Sequence, residues 1–354
     1  MKKIRVLIVD DQSAVRRVIR RALSVDPMVE VIAEASDPYS AVEMIEEHDP
    51  DVMTLDVEMP RMNGIDFLRK LMPQHPMPVI MLSALTQEGA KVTMDALDIG
   101  AVDYIAKPSG DPEDLEKVLS DLVEKVKMAA SVNMTQFLKY HSNYSTAKSI
   151  HKPITTIKKK FKYNIIAIGA STGGTNAIQQ IISQIDSEFP GIVVVQHMPP
   201  GFTRIFADRL NSRFSINVKE AVDGEIIEQG KVLIAPGDYH LTLSKVIGGY
   251  CVKLNQKEKV NLHRPSVDTL FHSIANGGMA PETVAIQLTG MGRDGAEGLL
   301  NLRQKRARTI CQDKESSVVY GMPETAFKLG AAEFQVPLDK IVIKIKEILG
   351  FTNG

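Results

Sequence analysis

Three residue types that together attack ester and amide carbonyls occur in the second half of the chain, each after a run of apolar residues. They are Ser171, in the glycine-rich segment 168–174 (IGASTGG), His197 and Asp294. A serine nucleophile needs a base that takes its proton, and the base needs a carboxylate that fixes its tautomer. Taken singly, they have simpler interpretations as a phosphate-binding loop, a packed histidine and a turn residue. Together they predict a Ser-His-Asp triad, provided that one sheet brings them to the same edge.

The segment around Ser171 suits a nucleophile because its position predicts a sharp turn from a strand into a helix. Such an elbow exposes the serine Oγ, and its glycines let backbone N–H groups approach an oxyanion. The G-x-S-x-G spacing is not a lipase signature, since the order Ser-His-Asp differs from that of α/β-hydrolases. A nucleotide-binding oxidoreductase is disfavoured, because the G-x-G-x-x-G spacing and its distal acidic residue are missing. His240 and His263 compete with His197 for the role of base, and we interpret both as structural or substrate-facing.

A second set of reactive residues lies in the first half of the chain, where acidic side chains follow apolar runs. Asp10 and Asp11 come after the first such run, Asp56 after a later one, and Lys107 after the last. Carboxylates that converge repel one another unless a cation neutralises them, and oxygen ligands suit Mg²⁺. A carboxylate beside such a metal can accept a phosphoryl group, whose oxygens a lysine then neutralises. The pattern predicts an aspartyl-phosphate site centred on Asp56, with a calcium or structural cation site as the alternative.

The elements that must position these residues alternate between short β-rich runs and helical periods. This alternation predicts an α/β fold of parallel sheets with helices on both faces and functional residues at the carboxyl ends of the strands. In the first half the predicted strands are 4–9, 30–35, 52–56, 79–83 and 101–106, and the predicted helices are 13–24, 38–47, 64–72, 88–97 and 112–128. In the second half the predicted strands are 163–168, 191–195, 231–235 and 284–288, with helices such as 176–185 and 203–211.

Length and composition indicate two domains and exclude several classes of protein. A chain of 354 residues is too long for one ordinary core. The two cysteines, Cys251 and Cys311, support neither a disulfide scaffold nor a cysteine-rich zinc site. The N-terminus is unlike a signal peptide and no apolar run reaches membrane-spanning length, so we expect a cytoplasmic protein without membrane insertion.

Charge is distributed unevenly, although the formal net charge is only −1. Residues 1–125 are acidic overall, whereas no acidic residue occurs between Glu124 and Asp186 and lysines accumulate there. We interpret residues 129–162 as a basic flexible linker between domains at 1–128 and 163–350. A nucleic-acid-binding arm is the alternative, and we disfavour it because no partner motif accompanies the lysines.

The N-terminal domain resembles the receiver domain of two-component response regulators. The markers are Asp10-Asp11, Asp56-Val57-Glu58-Met59-Pro60, Asn63-Gly64, Ser83-Ala84 and Lys107-Pro108. The resemblance implies a flavodoxin-like fold in which a histidine kinase phosphorylates Asp56. It further implies that Asp10, Asp11, Asp56 and the Glu58 carbonyl hold Mg²⁺, that Ser83 and Lys107 contact the phosphoryl group, and that Tyr104 is the aromatic switch.

The C-terminal domain resembles the catalytic domain of bacterial chemotaxis protein-glutamate methylesterases. The motifs GASTGG, QHMPPGFT, APGD, HRPSVD, TGMGRDGA and ESSVVYGMP occur in that family's order. The resemblance implies a doubly wound, Rossmann-like serine hydrolase domain that needs no cofactor, with Ser171, His197 and Asp294 as its triad. It also implies that Thr172 and the backbone of Met291 line the nucleophile's site. The basic segment 303–308 departs from the small Gly/Ala-rich turn that the resemblance implies there.

Together the resemblances imply a phosphorylation-controlled enzyme of chemotactic adaptation. Its substrates are methyl-accepting chemotaxis receptors, on which it hydrolyses glutamate methyl esters and deamidates glutamines, and its phosphodonor is the chemotaxis histidine kinase. The receiver is expected to restrain the esterase until Asp56 is phosphorylated. No nucleic-acid partner is expected, because a DNA-binding output needs a compact basic helix-turn-helix. The alternative is a response regulator whose serine hydrolase has a different substrate.

Overall fold

The computed structural model describes residues 2–83, 86–107, 112–142 and 162–351. The chain divides into two compact units, Met1–Ser142 and Asn143–Gly354. Within the described ranges, no helix is both long enough and apolar enough to cross a lipid bilayer. Cys251 and Cys311 are both buried, and neither forms a disulfide within the described residues.

The first unit is an α/β domain built on five parallel strands. The strands are β1 Ile4–Val9, β2 Val29–Ala35, β3 Val52–Asp56, β4 Val79–Ser83 and β5 Asp103–Ala106. The helices are α1 Ser13–Leu23, α2 Pro38–His48, α3 Gly64–Leu71, α4 Gln87–Ile99, α5 Pro112–Ala129 and α6 Met134–Ser142. The strands pair in the order β2-β1-β3-β4-β5, every pair parallel. This is the flavodoxin-like order, and it confirms the predicted fold class.

The turn between β3 and α3 is fixed by close packing and by a helix cap. β3 is buried along its whole length and ends at Asp56. A Cβ on Gly64 would lie 2.0 Å from the Asp56 carbonyl oxygen, so only glycine fits where α3 begins. The Asn63 side chain caps the same helix by accepting a hydrogen bond from Asp66 N (2.8 Å). These contacts hold the start of α3 against the end of the strand that carries Asp56.

The flexible-linker prediction is wrong for residues 129–142. They complete α5 and form α6, and they belong to the first compact unit. Asn133 starts α6 by accepting from Gln136 N (3.1 Å), and Val132 and Phe137 are buried. Burial of these apolar residues outweighs the polar, lysine-containing composition on which the linker prediction rested. The rest of that segment, 143–161, lies outside the described residues.

The second unit is a larger α/β domain. Its strands are β6 Ile165–Ala170, β7 Gly191–Gln196, β8 Asn217–Glu220, β9 Lys231–Ile234, β10 His240–Val246, β11 Gly249–Asn255, β12 Thr283–Gln287, β13 Arg308–Gln312 and β14 Phe334–Val336. Its helices are α7 Gly174–Ile182, α8 Phe202–Arg213, α9 Val267–Asn276, α10 Ala296–Gln304, α11 Met322–Lys328 and α12 Ile341–Leu349. Seven strands form a parallel sheet in the order β14-β13-β12-β6-β7-β9-β8, while β10 and β11 form a separate antiparallel hairpin.

The order in which strands are added to this sheet changes direction at β6. The chain continues from β6 to β7 on one side, and β12 later pairs with the other side of β6. Such a switch point opens a crevice outside the carboxyl ends of the strands, where ligands bind in doubly wound folds. The sheet is held by a core that includes Leu270, Phe271 and Leu299, all fully buried. Each such side chain contributes about 1.5 to 3 kcal/mol by leaving water. The crevice is therefore set on a rigid sheet.

The basic segment 303–308 packs against the chain around β14. Arg303 donates to the carbonyl oxygens of Gly330 and Ala332. Arg308 Nε donates to Glu333 (2.6 Å), and the Arg308 guanidinium lies 5.1 Å from the centre of the Phe334 ring. The basic side chains of this segment are thus accommodated by local hydrogen bonds and a cation–π contact.

Candidate active site and phosphorylation site

Ser171, His197 and Asp294 lie at the same edge of the seven-stranded sheet. Ser171 follows β6, His197 follows its neighbour β7, and Asp294 follows β12 on the other side of β6. Backbone hydrogen bonds join the three loops: His197 N donates to Ala170 O (3.2 Å) and Ser171 N donates to Thr289 O (3.0 Å). The residues singled out in the sequence therefore meet at the switch-point crevice.

His197 and Asp294 form a buried pair whose geometry defines the histidine tautomer. His197 Nε2 and Asp294 Oδ2 are 2.8 Å apart, and the two side chains are 7% and 1% exposed. An ionised carboxylate only accepts hydrogen bonds, so Nε2 carries the proton that it donates to Asp294. Nδ1 of the neutral ring is then a lone-pair acceptor, and it is buried without a hydrogen-bond partner among the residues that the structure describes. It is the nitrogen available to act as a base.

Asp294 is kept ionised by the hydrogen bonds that converge on it. Burial by itself raises the pKa of Asp294, but the hydrogen bonds from His197 and its neighbours outweigh burial and hold that pKa below its usual range. Two donors are the first N–H groups of α9, where the helix dipole also favours a negative charge. The donors are His197 Nε2, Asn261 Nδ2, Ser266 Oγ and the backbone N–H groups of Val267 and Asp268, at 2.6–3.2 Å.

The Ser171 loop is held by contacts to its backbone. Gln196 Nε2 donates to Ser171 O (2.9 Å), and Gly174 N donates to the same oxygen (2.7 Å). A Cβ on Gly290 would lie 2.7 Å from Ser171 Cβ, so glycine is required there. Within the part of the chain that the structure describes, Ser171 Oγ makes no hydrogen bond, and the contact to His197 Nδ1 that a working triad needs is not formed.

Thr172 directly follows Ser171, and Met291 directly follows a glycine that packs against Ser171. Thr172 is buried, and its carbonyl oxygen accepts a hydrogen bond from Thr289 Oγ1 (3.0 Å). Met291 follows Gly290, whose carbonyl oxygen accepts from Gly321 N and Met322 N. No hydrogen bond from the Met291 N–H occurs among the described residues. Its position beside the nucleophile suits an oxyanion donor.

The other two histidines occupy different places. His240 is buried with both ring nitrogens bonded to backbone groups: Nε2 donates to Glu258 O (2.9 Å), and Nδ1 accepts from Ser266 N (3.3 Å). His263 stacks on His197, with ring centroids 3.7 Å apart and planes at 15°. His240 thus has no lone pair left for catalysis, while His263 lies within the site.

Three residues around Asp294 were not predicted as functional. Ser266 and Asp268 lie within the HRPSVD motif, which signalled their importance without showing what they contact. Asn261 lies outside every motif, and only the structure shows that its amide contacts Asp294.

The first unit brings Asp10, Asp11, Asp56 and Lys107 together at the carboxyl ends of β1, β3 and β5. One carboxylate oxygen from each aspartate lies within 4.8 Å of the other two. Lys107 Nζ lies 2.8 Å from Asp56 Oδ1 and 3.1 Å from Asp10 Oδ2. Asp56 is 1% exposed, and in the described part of the chain its Oδ2 has no hydrogen-bond partner. An unpartnered buried carboxylate oxygen in an oxygen-only cluster fits a hard cation such as Mg²⁺.

Asp56 is also electrostatically perturbed. Burial raises the pKa of Asp56 to about 6, the Asp10 charge adds to that rise, and Lys107 opposes it. Two buried acids share one lysine, so negative charge in the cluster exceeds the positive charge available. The cluster is poised to take up a cation or a proton.

The remaining residues predicted for this site surround the cluster. Ser83 is fully buried, donates to Gly89 O (3.2 Å) and accepts from Thr93 Oγ1 (2.7 Å). Tyr104 is buried, which raises the pKa of its phenol, and Lys125 Nζ lies 5.3 Å from its ring centre. The side chain of Glu58 is exposed, and its N–H donates to Asp56 Oδ1 (3.3 Å).

Comparison with known proteins assigns each unit to a family model. The model described as CheB methylesterase matches residues 166–345, and the model described as response regulator receiver domain matches residues 6–120. Curated relatives named protein-glutamate methylesterase/protein-glutamine glutaminase occur in Sulfurimonas denitrificans (49% identical) and Syntrophotalea carbinolica (46% identical), each matched over 98% of both chains.

A solved structure supports the fold of the second unit. The Thermotoga maritima CheB methylesterase catalytic domain is 42% identical, covers 52% of this chain and 98% of its own, and superposes with a TM-score of 0.51.

Proposed function

The chain belongs to the CheB methylesterase family, with a receiver domain ahead of the catalytic domain, and on this basis we propose that it demethylates and deamidates chemoreceptors through Ser171, His197 and Asp294. The observation that supports the proposal is that Ser171, His197 and Asp294 all follow neighbouring strands at one edge of the sheet, with His197 and Asp294 in a buried pair. The buried His197–Asp294 pair and the available His197 nitrogen are features that nucleophilic hydrolysis requires.

In the first half of the reaction, Ser171 Oγ attacks the carbonyl carbon of a methylated glutamate side chain. His197 Nδ1 takes the hydroxyl proton, and Asp294 stabilises the imidazolium through the Nε2–H that it already accepts. The backbone N–H of Met291, with Thr172 beside it, stabilises the oxyanion of the tetrahedral intermediate. Collapse of that intermediate breaks the bond to the methoxy oxygen, which leaves as methanol with the proton from His197.

In the second half, water hydrolyses the acyl group on Ser171. His197 Nδ1 removes a proton from the water, and the hydroxide attacks the acyl carbon. The bond to Ser171 Oγ then breaks, His197 returns the proton to Oγ, and the receptor glutamate is released as a carboxylate. Glutamine deamidation follows the same two halves, with ammonia as the leaving group in place of methanol.

Phosphorylation of Asp56 is proposed as the control of this activity. Asp56 supplies the carboxylate oxygen that takes the phosphoryl group, while Lys107 neutralises the charge on the phosphoryl oxygens, Ser83 contacts them and Tyr104 responds as the switch. Asp10, Asp11, Asp56 and the Glu58 carbonyl would hold Mg²⁺, which when bound neutralises the carboxylates and the incoming phosphoryl charge.

The partners follow from the two activities. The receiver takes its phosphoryl group from the chemotaxis histidine kinase, and the esterase acts on methyl-accepting chemotaxis receptors. We place both reactions in the cytoplasm, because two buried, unpaired cysteines suit a reducing compartment.

The proposal is tested with receptor fragments that contain either methylated glutamate or glutamine at the modified positions. The wild-type chain is expected to convert both to glutamate, with methanol and ammonia as the respective products, measured by mass spectrometry of the fragments. Ser171→Ala is expected to convert neither. Conversion by Ser171→Ala at the wild-type rate would exclude Ser171 as the nucleophile.

A further inference from the structure

A tight turn of four residues, Val260–His263, lies beside His197 and Asp294. His263 N donates to Val260 O (2.9 Å) and Val260 N donates to His263 O (3.2 Å). The two central residues, Asn261 and Leu262, have positive φ values of 51° and 68°. Asparagine adopts this left-handed conformation readily, whereas leucine does so rarely. A turn that keeps leucine in this conformation is held by its surroundings.

The Asn261 amide bridges two buried carboxylates. Its Nδ2 donates to Asp294 Oδ1 and to Asp268 Oδ2, each at 2.8 Å. Asp294 and Asp268 are 1% and 4% exposed. Burial raises the pKa of Asp268, and the nearby Asp294 charge adds to the rise. One neutral amide therefore bridges two acids that repel each other. It holds Asp294 Oδ1 together with Ser266 Oγ and Asp268 N, while His197 and Val267 N donate to Oδ2.

The same turn supports His197 from a second direction. The His263 ring lies parallel to the His197 ring, with centroids 3.7 Å apart. Asp294 holds an edge of the His197 ring, and His263 covers one of its faces. Contacts to an edge and a face together restrict rotation of the imidazole about its χ angles more than either contact does alone.

We propose that the turn 260–263 is a positioning element for the triad, in which Asn261 acts through Asp294 and His263 acts through His197. The proposal rests on the function proposed above. Both residues act without contacting the reacting carbonyl. Leu262, which is 87% exposed, serves only to complete the turn.

Two glycine variants separate the role of the Asn261 side-chain amide from the role of the turn's backbone conformation. Asn261→Gly keeps the left-handed backbone and removes the amide, whereas Leu262→Gly keeps the amide and relaxes the backbone. Asn261→Gly in the full-length chain is expected to lower kcat about tenfold to a hundredfold with KM little changed, since a misplaced catalytic group costs rates of this order. Leu262→Gly is expected to keep the wild-type kcat. A wild-type kcat for Asn261→Gly would overturn the role of Asn261.

The ring contact is tested by His263→Ala and His263→Phe. His263→Ala is expected to lower kcat about tenfold at unchanged KM, and His263→Phe, which keeps an aromatic face, is expected to restore most of it. Equal losses in both variants, or none in either, would overturn the stacking role. This pair also decides the proposal if Asn261→Gly does not fold.

Ser171→Ala is assayed in parallel, so that failure of the positioning role can be distinguished from failure of the proposed triad. An inactive Ser171→Ala with fully active Asn261→Gly and His263→Ala refutes the positioning element and leaves the esterase intact. An active Ser171→Ala refutes the triad itself, and with it the role of the turn.

Discussion

Asp294 shows how a carboxylate stays ionised although it is almost entirely buried. Its two oxygens accept five hydrogen bonds, two of them from the start of α9. Because its pKa lies below the usual range, it contributes stability at neutral pH that is lost as the pH falls through that lowered value. Asp56 is the opposite case, since burial and a neighbouring acid raise its pKa to about 6. The surroundings of Asp294 therefore favour its ionised form, whereas those of Asp56 favour neutralisation of its charge.

The first prediction concerns the charge of Asp294. Asp294→Asn is expected to lower kcat about 10³- to 10⁴-fold with a small effect on KM, because an amide cannot hold the correct tautomer of His197 or stabilise its imidazolium. The measurement is the rate of methyl ester hydrolysis on receptor fragments. A kcat within tenfold of the wild-type value would show that Asp294 is not the partner of the base.

The second prediction concerns the raised pKa of Asp56. Stability from the protonated carboxyl is fully present below its ordinary pKa of 3.8 and is lost as the pH rises through about 6. At pH 7.5 without Mg²⁺, Asp56→Asn is therefore expected to raise the melting temperature of the receiver unit by about 2 to 4 °C.

The effect of Mg²⁺ on the melting temperature is the control for the Asp56→Asn comparison. Mg²⁺ is expected to raise the melting temperature of the wild-type chain at pH 7.5, to do so much less at pH 5, and to leave Asp56→Asn nearly unaffected. Differential scanning calorimetry of the full chain checks both effects. A lower melting temperature for Asp56→Asn at pH 7.5 would mean that the ionised carboxylate stabilises the fold.

Among the secondary-structure elements, the strands that precede the proposed site residues were predicted better than the remaining strands. All five strands of the first unit were predicted, and β6, β7, β9 and β12 of the second, because buried parallel strands form continuous apolar runs. The strands of the second unit that were not predicted are β8, β10, β11, β13 and β14. β8 and β14 carry too little pattern, since one has four residues with two charges and the other has three residues.

The sequence identified the proposed triad through motifs, whereas the contacts that hold it were beyond prediction. Asn261 gave no signal because Asn261-Leu262 is not a recognised turn dipeptide, and its role depends on Asp268 and Asp294, which approach it only in the folded chain. The helix α6 was missed for a related reason, since its stability comes from buried Val132 and Phe137 in an otherwise polar segment.

The third prediction concerns the close approach of two loops. A methyl group on Gly290 would lie 2.3 Å from Met322 Sδ and 2.7 Å from Ser171 Cβ. Gly290→Ala is therefore expected to displace Ser171, to lower kcat at least about tenfold and to destabilise the second unit by about 1 to 3 kcal/mol. Gly249→Ala is the control, because nothing lies within 4 Å of its added methyl group. Kinetics and thermal unfolding of both variants check this, and equal behaviour would contradict the packing argument.

At the scale of the whole molecule, the chain joins two compact units with separate chemistry. The first contains the aspartate cluster, and the second contains Ser171, His197 and Asp294 with its own core. The aspartate cluster and the proposed triad thus lie in different units. Control of hydrolysis by phosphorylation therefore requires that the first unit changes the activity of the second.

The fourth prediction tests that effect directly. Isolated residues 143–354 are expected to hydrolyse receptor methyl esters faster than the unphosphorylated full-length chain, because removal of the receiver removes its restraint. The comparison uses equal concentrations and the same substrate. If the isolated unit is no faster, the receiver does not inhibit, and phosphorylation must act by activation alone.

The most direct test of the account is methanol release from methylated chemoreceptor membranes, with and without a small phosphodonor and Mg²⁺. Wild type, Ser171→Ala and Asp56→Asn are compared. The account predicts that wild-type release rises with the phosphodonor, that Asp56→Asn releases methanol at an unchanged basal rate, and that Ser171→Ala releases none. Undiminished release by Ser171→Ala would contradict the central claim, which is that a phosphorylation-controlled serine nucleophile performs the hydrolysis.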